Sequence, residues 1–264
     1  FGDYLDRSPR QYSRDTIRAR LGVARRYTAD VEWRTATVHD VERWANSLGR
    51  SASGTRDAVS HVRAFYRWAI RTGVVEVDPT ATVDLPRARK RLPRPARDVA
   101  IMVAVAAADP PMRAMLALMA GAGLRCCEVA ALRWADIDMI AGTVHVTGKY
   151  DRERVIEIGA PVRQALAGID GPGAFVFTSP ATGRPYTPTR VSQLVNAHLR
   201  LCAAGCTAHQ LRHRFATVAL AECRDMTTVR DLLGHSSVAT TEIYAAVTAG
   251  GAGSVSVSVG VPGL

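Results

Sequence analysis

The sequence predicts a mainly α-helical protein of two domains, the second of which also contains a small antiparallel β-sheet. Three observations support this prediction. Apolar residues recur at helical spacing over most of the chain, whereas residues 143–158 alternate between apolar and polar side chains as a β-hairpin does. A basic, proline-rich segment at residues 85–97 interrupts both patterns. At 264 residues, of which 47% are hydrophobic, the chain is long enough for two separate cores.

The first predicted domain spans residues 1–84 and is all-helical. Val62, Phe65 and Tyr66 share an apolar stripe that would face a core, while the polar faces carry arginines. Breaks in the helical pattern divide the region into three or four short helices. They fall near residues 30–37, 47–54 and 72–79.

Residues 85–97 are predicted to form a basic linker between the domains. Prolines forbid a continuous helix there, and the closely spaced cations repel one another into an extended chain. One interpretation is a solvated spacer, and the other is a segment that lies along DNA phosphates. In the second case the contacting residues would be Arg87, Arg89, Lys90, Arg91 and Arg94.

The second predicted domain spans residues 98–246 and combines helices with the hairpin. Helices are expected over about residues 98–122 and again over 189–246. Strands are expected at residues 143–147, 154–158 and, as a short third strand, 175–177. The remaining tail, residues 247–264, is expected either to add a strand to the sheet of a neighbouring copy or to be disordered.

The formal charge of +10 favours a polyanionic partner such as nucleic acid. No stretch approaches the roughly 20 apolar residues that span a bilayer, and the N-terminus lacks a signal pattern. The sequence therefore predicts a cytoplasmic protein with no membrane partner.

The cysteines are predicted to be free thiols, because they are five in number and include the adjacent pair Cys126 and Cys127. Cys202, Cys206, His209 and His213 superficially resemble zinc ligands. Their two pairs are too close together for a zinc finger, so packing is the favoured role for these cysteines and no metal is expected.

Five short motifs occur in a fixed order in the second domain. In the first, Arg125 follows a glycine-containing turn and Glu128 lies three residues later on the same helical face. In the second, Lys149 stands at the tip of the predicted hairpin, where its long amine can reach a ligand.

The other three motifs lie near the C-terminal end of this domain. His209 and Arg212 are three residues apart at a predicted helix start, with Thr207 as the N-cap, where backbone N–H groups favour an anion. His235 follows a glycine cap in a turn, and Tyr244 lies nine residues further on.

Together these motifs resemble those of the tyrosine recombinase (phage integrase) family. The resemblance covers residues 98–246, and the first domain is similar to the helical, SAM-like core-binding domain that binds DNA in that family. It implies a core-binding domain followed by an α+β catalytic domain. It further implies a site-specific DNA recombinase that works through a 3′-phosphotyrosine intermediate and a Holliday junction, without cofactor, metal or ATP.

The resemblance also implies a set of catalytic residues: Arg125, Lys149, His209, Arg212, His235 and Tyr244. Tyr244 would be the nucleophile and His209 the acceptor of its proton. The two arginines and His235 would stabilise charge on the phosphate, and Lys149 would protonate the leaving 5′ oxygen. Glu128 would hold Arg125.

The implied partners are double-stranded DNA with paired recombination sites and further copies of the chain in a homotetramer. Accessory DNA-bending or directionality factors are additional candidates. The favoured function is integration or excision of a phage or mobile element, acting at the nucleoid or in the host cytoplasm. The alternatives are resolution of chromosome or plasmid dimers within the same family, and a DNA-binding architectural protein that has lost catalysis.

Four positions depart from the family pattern. Ala208 stands where proline is usual, which should loosen the helix start without removing a backbone donor. Tyr150 stands where glycine is frequent, next to Lys149. The adjacent cysteines replace small or apolar residues, so we expect their oxidation to impair the site.

Overall fold

The computed structural model describes residues 1–6, 12, 14–86, 94–148, 153–169, 173–234 and 259–264. The chain forms two compact units, residues 1–90 and 91–264. The predicted fold class, mainly helical with a small antiparallel sheet, is confirmed. Within the described ranges, none of the helices is long and apolar enough to cross a bilayer.

The first unit contains the helices α1 (Gly2–Asp6), α2 (Arg14–Asp30), α3 (Val38–Ser47) and α4 (Ala52–Arg71). The caps explain where α3 and α4 begin. The Thr37 backbone N–H donates to Asp40 Oδ2 (2.9 Å), and the Thr37 side chain accepts from the Asp40 N–H, which forms a capping box. Ser51 caps α4 in the same manner, by accepting from the Gly54 N–H.

Aromatic side chains fill the core of the first unit. Tyr27 and Trp44 meet edge to face with 5.0 Å between ring centroids. The Tyr66 hydroxyl donates to the Trp33 carbonyl (2.8 Å), so the Tyr27 hydroxyl must donate to the Tyr66 oxygen across their 2.9 Å contact. Both buried hydroxyls are therefore satisfied, as a dry core requires.

The described part of the second unit begins with five helices and three strands. They are α5 (Asp98–Ala106), α6 (Pro110–Gly121), α7 (Cys126–Ala131), β1 (Ile137–Asp138), β2 (Thr143–Thr147), β3 (Glu153–Glu157), α8 (Ala160–Ala167) and α9 (Pro188–Leu201). The chain continues with α10 (Ala208–Cys223) and α11 (Met226–Leu233). Helix α6 is the centre of this unit, because its residues from Ala114 to Gly121 are all buried and it contacts α5, α7, α8, α9 and α10.

The sheet is antiparallel in the order β1-β2-β3, and Val144 pairs with Ile156 at its buried centre. The prediction that residues 175–177 supply its third strand is wrong. That strand is β1, which a tight turn joins directly to β2. The backbone near Phe175 instead bonds to the residues that precede β1, where Phe175 and Arg133 form an isolated bridge.

The last six residues, 259–264, pack on their own unit. Val259 and Val261 are 2% and 4% exposed, and Arg214 Nη1 on α10 donates to the Gly260 carbonyl (2.6 Å). A Cβ atom at Gly121 would lie 2.4 Å from Val261 Cγ2, so α6 accepts this segment only where it carries glycine. These six residues are packed on α6 and α10 and form no strand within their own unit. The expectation that the tail adds a strand to a neighbouring copy or is disordered stays a prediction. Residues 247–258 lie outside the described residues.

Candidate active site

A glycine turn aims the first predicted arginine. Gly123 has φ +65°, and a Cβ atom there would lie 2.4 Å from the Phe215 ring. Because both the backbone angle and the space exclude a larger residue, this turn depends on glycine. It places Arg125 at the N-cap of α7 with 33% of its side chain exposed.

Glu128 holds Arg125 from inside the protein. Its carboxylate accepts from Arg125 Nη1 (2.8 Å) and from the Arg125 backbone N–H (2.8 Å). The Glu128 side chain is only 3% exposed. The pair that the spacing predicted is thus a buried ion pair, which differs in energy from an exposed pair on a helix surface.

Arg154, which the sequence analysis did not assign to the site, binds the same carboxylate. Its Nη1 and Nη2 atoms donate to Glu128 Oε1 (3.0 Å) and Oε2 (2.9 Å), and its Nε donates to the Leu232 carbonyl (2.8 Å). One sequence signal could have found it. Arg154 lies two residues before the buried Ile156 on β3, so strand alternation places both on the inner face.

Arg212 enters the site from the start of α10. Its guanidinium donates to the Gly123 carbonyl through Nη1 and to the Leu233 carbonyl through Nη2 (2.6 Å). Nη1 also lies 3.7 Å from Glu128 Oε2, and the Arg212 side chain is 4% exposed. Arg212 is therefore fixed by the glycine turn, by α11 and by Glu128 together.

The helix start that carries Arg212 has two supports. Gln210 Oε1 accepts from the backbone N–H of Thr207 (3.0 Å) and from its hydroxyl (3.1 Å). At Ala208, where the family usually has proline, the backbone N–H donates to Asn196 Oδ1 (2.9 Å). The donor that proline would lack is thus used to fasten α10 to α9.

We call Arg125, Arg154, Arg212 and Glu128 the arginine cluster. Its three guanidinium groups donate to three consecutive carbonyls at the end of α11, those of residues 232, 233 and 234. The C-terminal end of a helix carries partial negative charge, which suits these contacts. Gly234 closes the helix in the left-handed conformation at φ +59°. His235 is the next residue in the chain and, like Lys149 and Tyr244, lies outside the described residues.

The cluster carries a net charge of two positive units, three from the arginines and minus one from Glu128. Burial alone would raise the pKa of Glu128, but the hydrogen bonds and charge of Arg154, with Arg125 and Arg212, lower it on balance. Glu128 is therefore ionised at neutral pH. The excess positive charge, directed by buried partners, suits a phosphodiester whose negative charge grows during reaction.

Two histidines stand beside the cluster on α10. The rings of His209 and His213 meet edge to face with 4.2 Å between centroids. Although His209 is exposed, partial desolvation and then the charges of Arg212 and Arg125 lower its pKa. Burial, His209 and Arg212 lower the pKa of His213 to about 4. Both imidazoles are therefore neutral at pH 7, the form in which a histidine accepts a proton.

Among the predicted DNA-contacting residues of the linker, Arg94 is described. It is exposed, and its carbonyl accepts from Gln210 Nε2 (2.9 Å), which ties this part of the chain to the first turn of α10. Arg87, Arg89, Lys90 and Arg91 lie outside the described residues.

All five cysteines are free thiols. Burial is the main reason that the pKa of Cys126, of Cys127 and of Cys206 is raised, so these thiols are protonated at neutral pH. Cys202 Sγ lies 3.6 Å from His198 Nε2, which also contacts the Ala104 carbonyl (2.8 Å). Across the described residues, no three His, Cys, Asp or Glu side chains are grouped to hold a metal ion.

A helical first unit, an α+β second unit and a buried arginine cluster beside neutral histidines define a class of enzymes that transfer DNA strands. Residues 97–250 match the phage integrase family, and residues 1–73 match the N-terminal SAM-like domain of phage integrases. The first match covers more than half of the chain. The protein belongs to the phage integrase family and is a site-specific tyrosine recombinase.

Individual relatives agree with this assignment. Tyrosine recombinase XerC of Xylella fastidiosa (strain 9a5c) is 34% identical over 209 residues, which are 74% of this chain and 70% of that protein. Tyrosine recombinase XerD of Pseudomonas aeruginosa is 33% identical over 219 residues, or 76% and 73% of the two chains. A lambda integrase tetramer bound to a Holliday junction shares the fold, with a TM-score of 0.70 at 19% identity over 89% of this chain and 77% of that one.

Proposed function

We propose that the protein exchanges DNA strands between paired sites through a covalent bond between Tyr244 and a 3′ phosphate. The observation that carries this proposal is the arginine cluster. Arg125 and Arg212 come from distant parts of the sequence, yet both contact Glu128 and the last turn of α11. Their guanidinium groups converge where a scissile phosphate can be bound, one residue before His235.

Each predicted residue has a role in this scheme. The Tyr244 hydroxyl attacks the phosphorus, and the bond from phosphorus to the 5′ oxygen breaks. His209 accepts the tyrosine proton in its neutral form, and Lys149 protonates the departing 5′ oxygen. Arg125 and Arg212, with His235, stabilise the charge on the nonbridging oxygens.

The scheme needs no ATP and no metal ion. The phosphotyrosyl ester conserves the energy of the broken bond, and the free 5′ hydroxyl of a second strand can attack it. Guanidinium groups supply the charge that a metal would otherwise provide. When this exchange occurs once between two paired sites, the product is a four-way Holliday junction.

A homotetramer is the assembly we propose, with one active site for each strand to be cut. The lambda integrase structure, a tetramer on a Holliday junction, supports this for a protein of the same fold. We further propose that the protein acts where DNA is found, in the cytoplasm or nucleoid, and that accessory DNA-bending or directionality factors assist it. The formal charge of +10 supports an extended contact with DNA.

A covalent-capture experiment tests this function. The purified protein is incubated with duplexes that carry a randomised core and a nick near the cleavage position, so that the released strand end diffuses away. We expect a protein–DNA adduct that survives denaturation and whose sequenced DNA converges on one site. Tyr244→Phe should abolish the adduct, whereas the matched control Tyr186→Phe should retain it.

The outcomes separate the alternatives. Site-selective binding without any adduct would favour the architectural protein, and an adduct in Tyr244→Phe would refute the assigned nucleophile. An adduct formed on single sites, with relaxation of supercoils and no exchange, would indicate topoisomerase action. Placing the two recovered sites on one circle or on separate molecules then distinguishes excision or dimer resolution from integration.

A further inference from the structure

Arg154 occupies a position in the arginine cluster that the proposed chemistry does not use. Its side chain is 9% exposed, whereas that of Arg125 is 33% exposed. All three of its nitrogens are engaged, two with Glu128 and one with the Leu232 carbonyl. Arg154 and Arg212 are therefore both buried, and Arg125 is the arginine of the cluster whose side chain is placed to contact a phosphate directly.

The contacts of Arg154 join three elements of the second unit. It belongs to β3, it binds Glu128 of α7, and it binds the end of α11 through Leu232. Lys149 lies five residues earlier in the same hairpin, and His235 lies three residues after Leu232. The guanidinium of Arg154 thus fixes β3 and the end of α11 relative to Arg125. These two elements lead to Lys149, the proposed general acid, and to His235.

Arg154 also sets how the charge of Glu128 is shared. Glu128 Oε1 accepts from both Arg125 Nη1 and Arg154 Nη1, and Oε2 accepts from Arg154 Nη2 and the Arg125 backbone. Without Arg154, the buried carboxylate would be left to Arg125 and Arg212 alone. It would then draw the partly exposed guanidinium of Arg125 inward, because an incompletely paired buried charge is costly.

We propose that Arg154 is a positioning residue for strand cleavage, which satisfies Glu128 so that the partly exposed Arg125 keeps N–H donors for the scissile phosphate. This inference rests on the proposed function. Close packing supports it at Gly234, where a Cβ atom would lie 3.0 Å from Arg154 Nη1. A larger residue at this position would press on the guanidinium of Arg154 and would also have to adopt the φ of +59° that favours glycine.

The test compares Arg154→Gln and Arg154→Lys with wild type in single-turnover cleavage of the captured site. We expect rates to fall by about 10²-fold, the effect of misplacing catalytic groups by about 1 Å. Lysine should recover little, because it cannot bind both carboxylate oxygens and the Leu232 carbonyl at once. Arg163→Gln is the matched control, since Arg163 is half-buried in the same unit and its Nη1 donates to the Met139 carbonyl (3.5 Å), away from Glu128.

A second substrate separates positioning from simple loss of structure. In a methylphosphonate at the scissile position, a methyl group replaces one charged nonbridging oxygen, so less positive charge is needed. If Arg154 acts by keeping Arg125 available to the phosphate, its variants should lose less than about 10-fold on this substrate, well below the loss on phosphate. A variant that is merely less folded would lose equally on both substrates.

Glu128 supplies the remaining control. When Glu128→Gln is combined with Arg154→Gln, the second change should add little to the first, because the charge that Arg154 compensates is already gone. Equal losses on both substrates, additive effects with Glu128→Gln, or full activity of both Arg154 variants would each overturn the inference. Absence of any adduct in wild type would instead overturn the proposed function, and this role with it.

Discussion

Replacing Glu128 by glutamine should destabilise the second unit by about 3 kcal/mol, near the lower end of the cost of breaking a buried ion pair. Glutamine keeps the shape and one acceptor oxygen, but it removes the anion that three guanidinium groups share. The Glu128 side chain is 3% exposed, so water cannot replace the lost contacts. For a unit of this size, about 3 kcal/mol corresponds to a fall in Tm of roughly 6–12 °C.

The loss should also depend on pH in a defined direction. The pKa of Glu128 is lowered in the folded protein, so its stabilising contribution is present above the unfolded pKa of about 4.3 and is lost as pH falls through the folded value. The difference between wild type and Glu128→Gln should therefore be full at pH 7 and should narrow in acid.

Urea unfolding of the whole chain at several pH values measures the loss of unfolding free energy and its pH dependence. Scanning calorimetry on the same variants measures the fall in Tm. Glu222→Gln, an exposed change on α10, is the control and should stay within about 0.5 kcal/mol of wild type. A loss below about 1 kcal/mol at pH 7 would refute the view that Glu128 is the buried anion of the cluster. A difference that widens in acid would refute its lowered pKa.

Three further predictions concern other parts of the molecule. Because the pKa of His209 lies below 6.5, adduct formation should be constant near pH 7 and should decline only as pH falls below about 6.5, measured in single turnover from pH 5 to 8. Gly121→Ala should cost about 1–3 kcal/mol in unfolding because its Cβ meets Val261, and Val261→Ala should relieve part of this loss. Tyr66→Phe should cost about 1–3 kcal/mol, because it removes the donor to the Trp33 carbonyl, and should affect the first unit.

Each of these three predictions would be contradicted by a specific measurement. A rate that is already half-lost above pH 7 would argue against a neutral His209 as the proton acceptor. Unchanged stability in Gly121→Ala, or no recovery when Val261→Ala is added, would mean that Val261 does not pack against Gly121 of α6. A Tyr66→Phe variant that shifts the unfolding of the second unit and leaves the first unchanged would contradict the hydrogen bonds described for that tyrosine.

The sequence by itself was enough to predict the features that depend on near neighbours. The start of α10 follows from the predicted N-cap at Thr207, and the β2–β3 hairpin follows from alternation over a dozen residues. The pairing of Arg125 with Glu128 likewise follows from a spacing of three on one helix. In each case the interacting groups lie within one turn or one hairpin, so local geometry determines them.

Only the tertiary structure decided which distant groups meet. Arg154 lies 26 residues from Glu128 and 78 from Leu232, and a local sequence pattern cannot predict contacts between residues so far apart. The same holds for the place of the last six residues on α6, and for residues near Phe175, which pair with the chain before β1 and not with the hairpin. Chain closure over long separations is governed by packing, charge pairing and available space, and these are properties of the folded core.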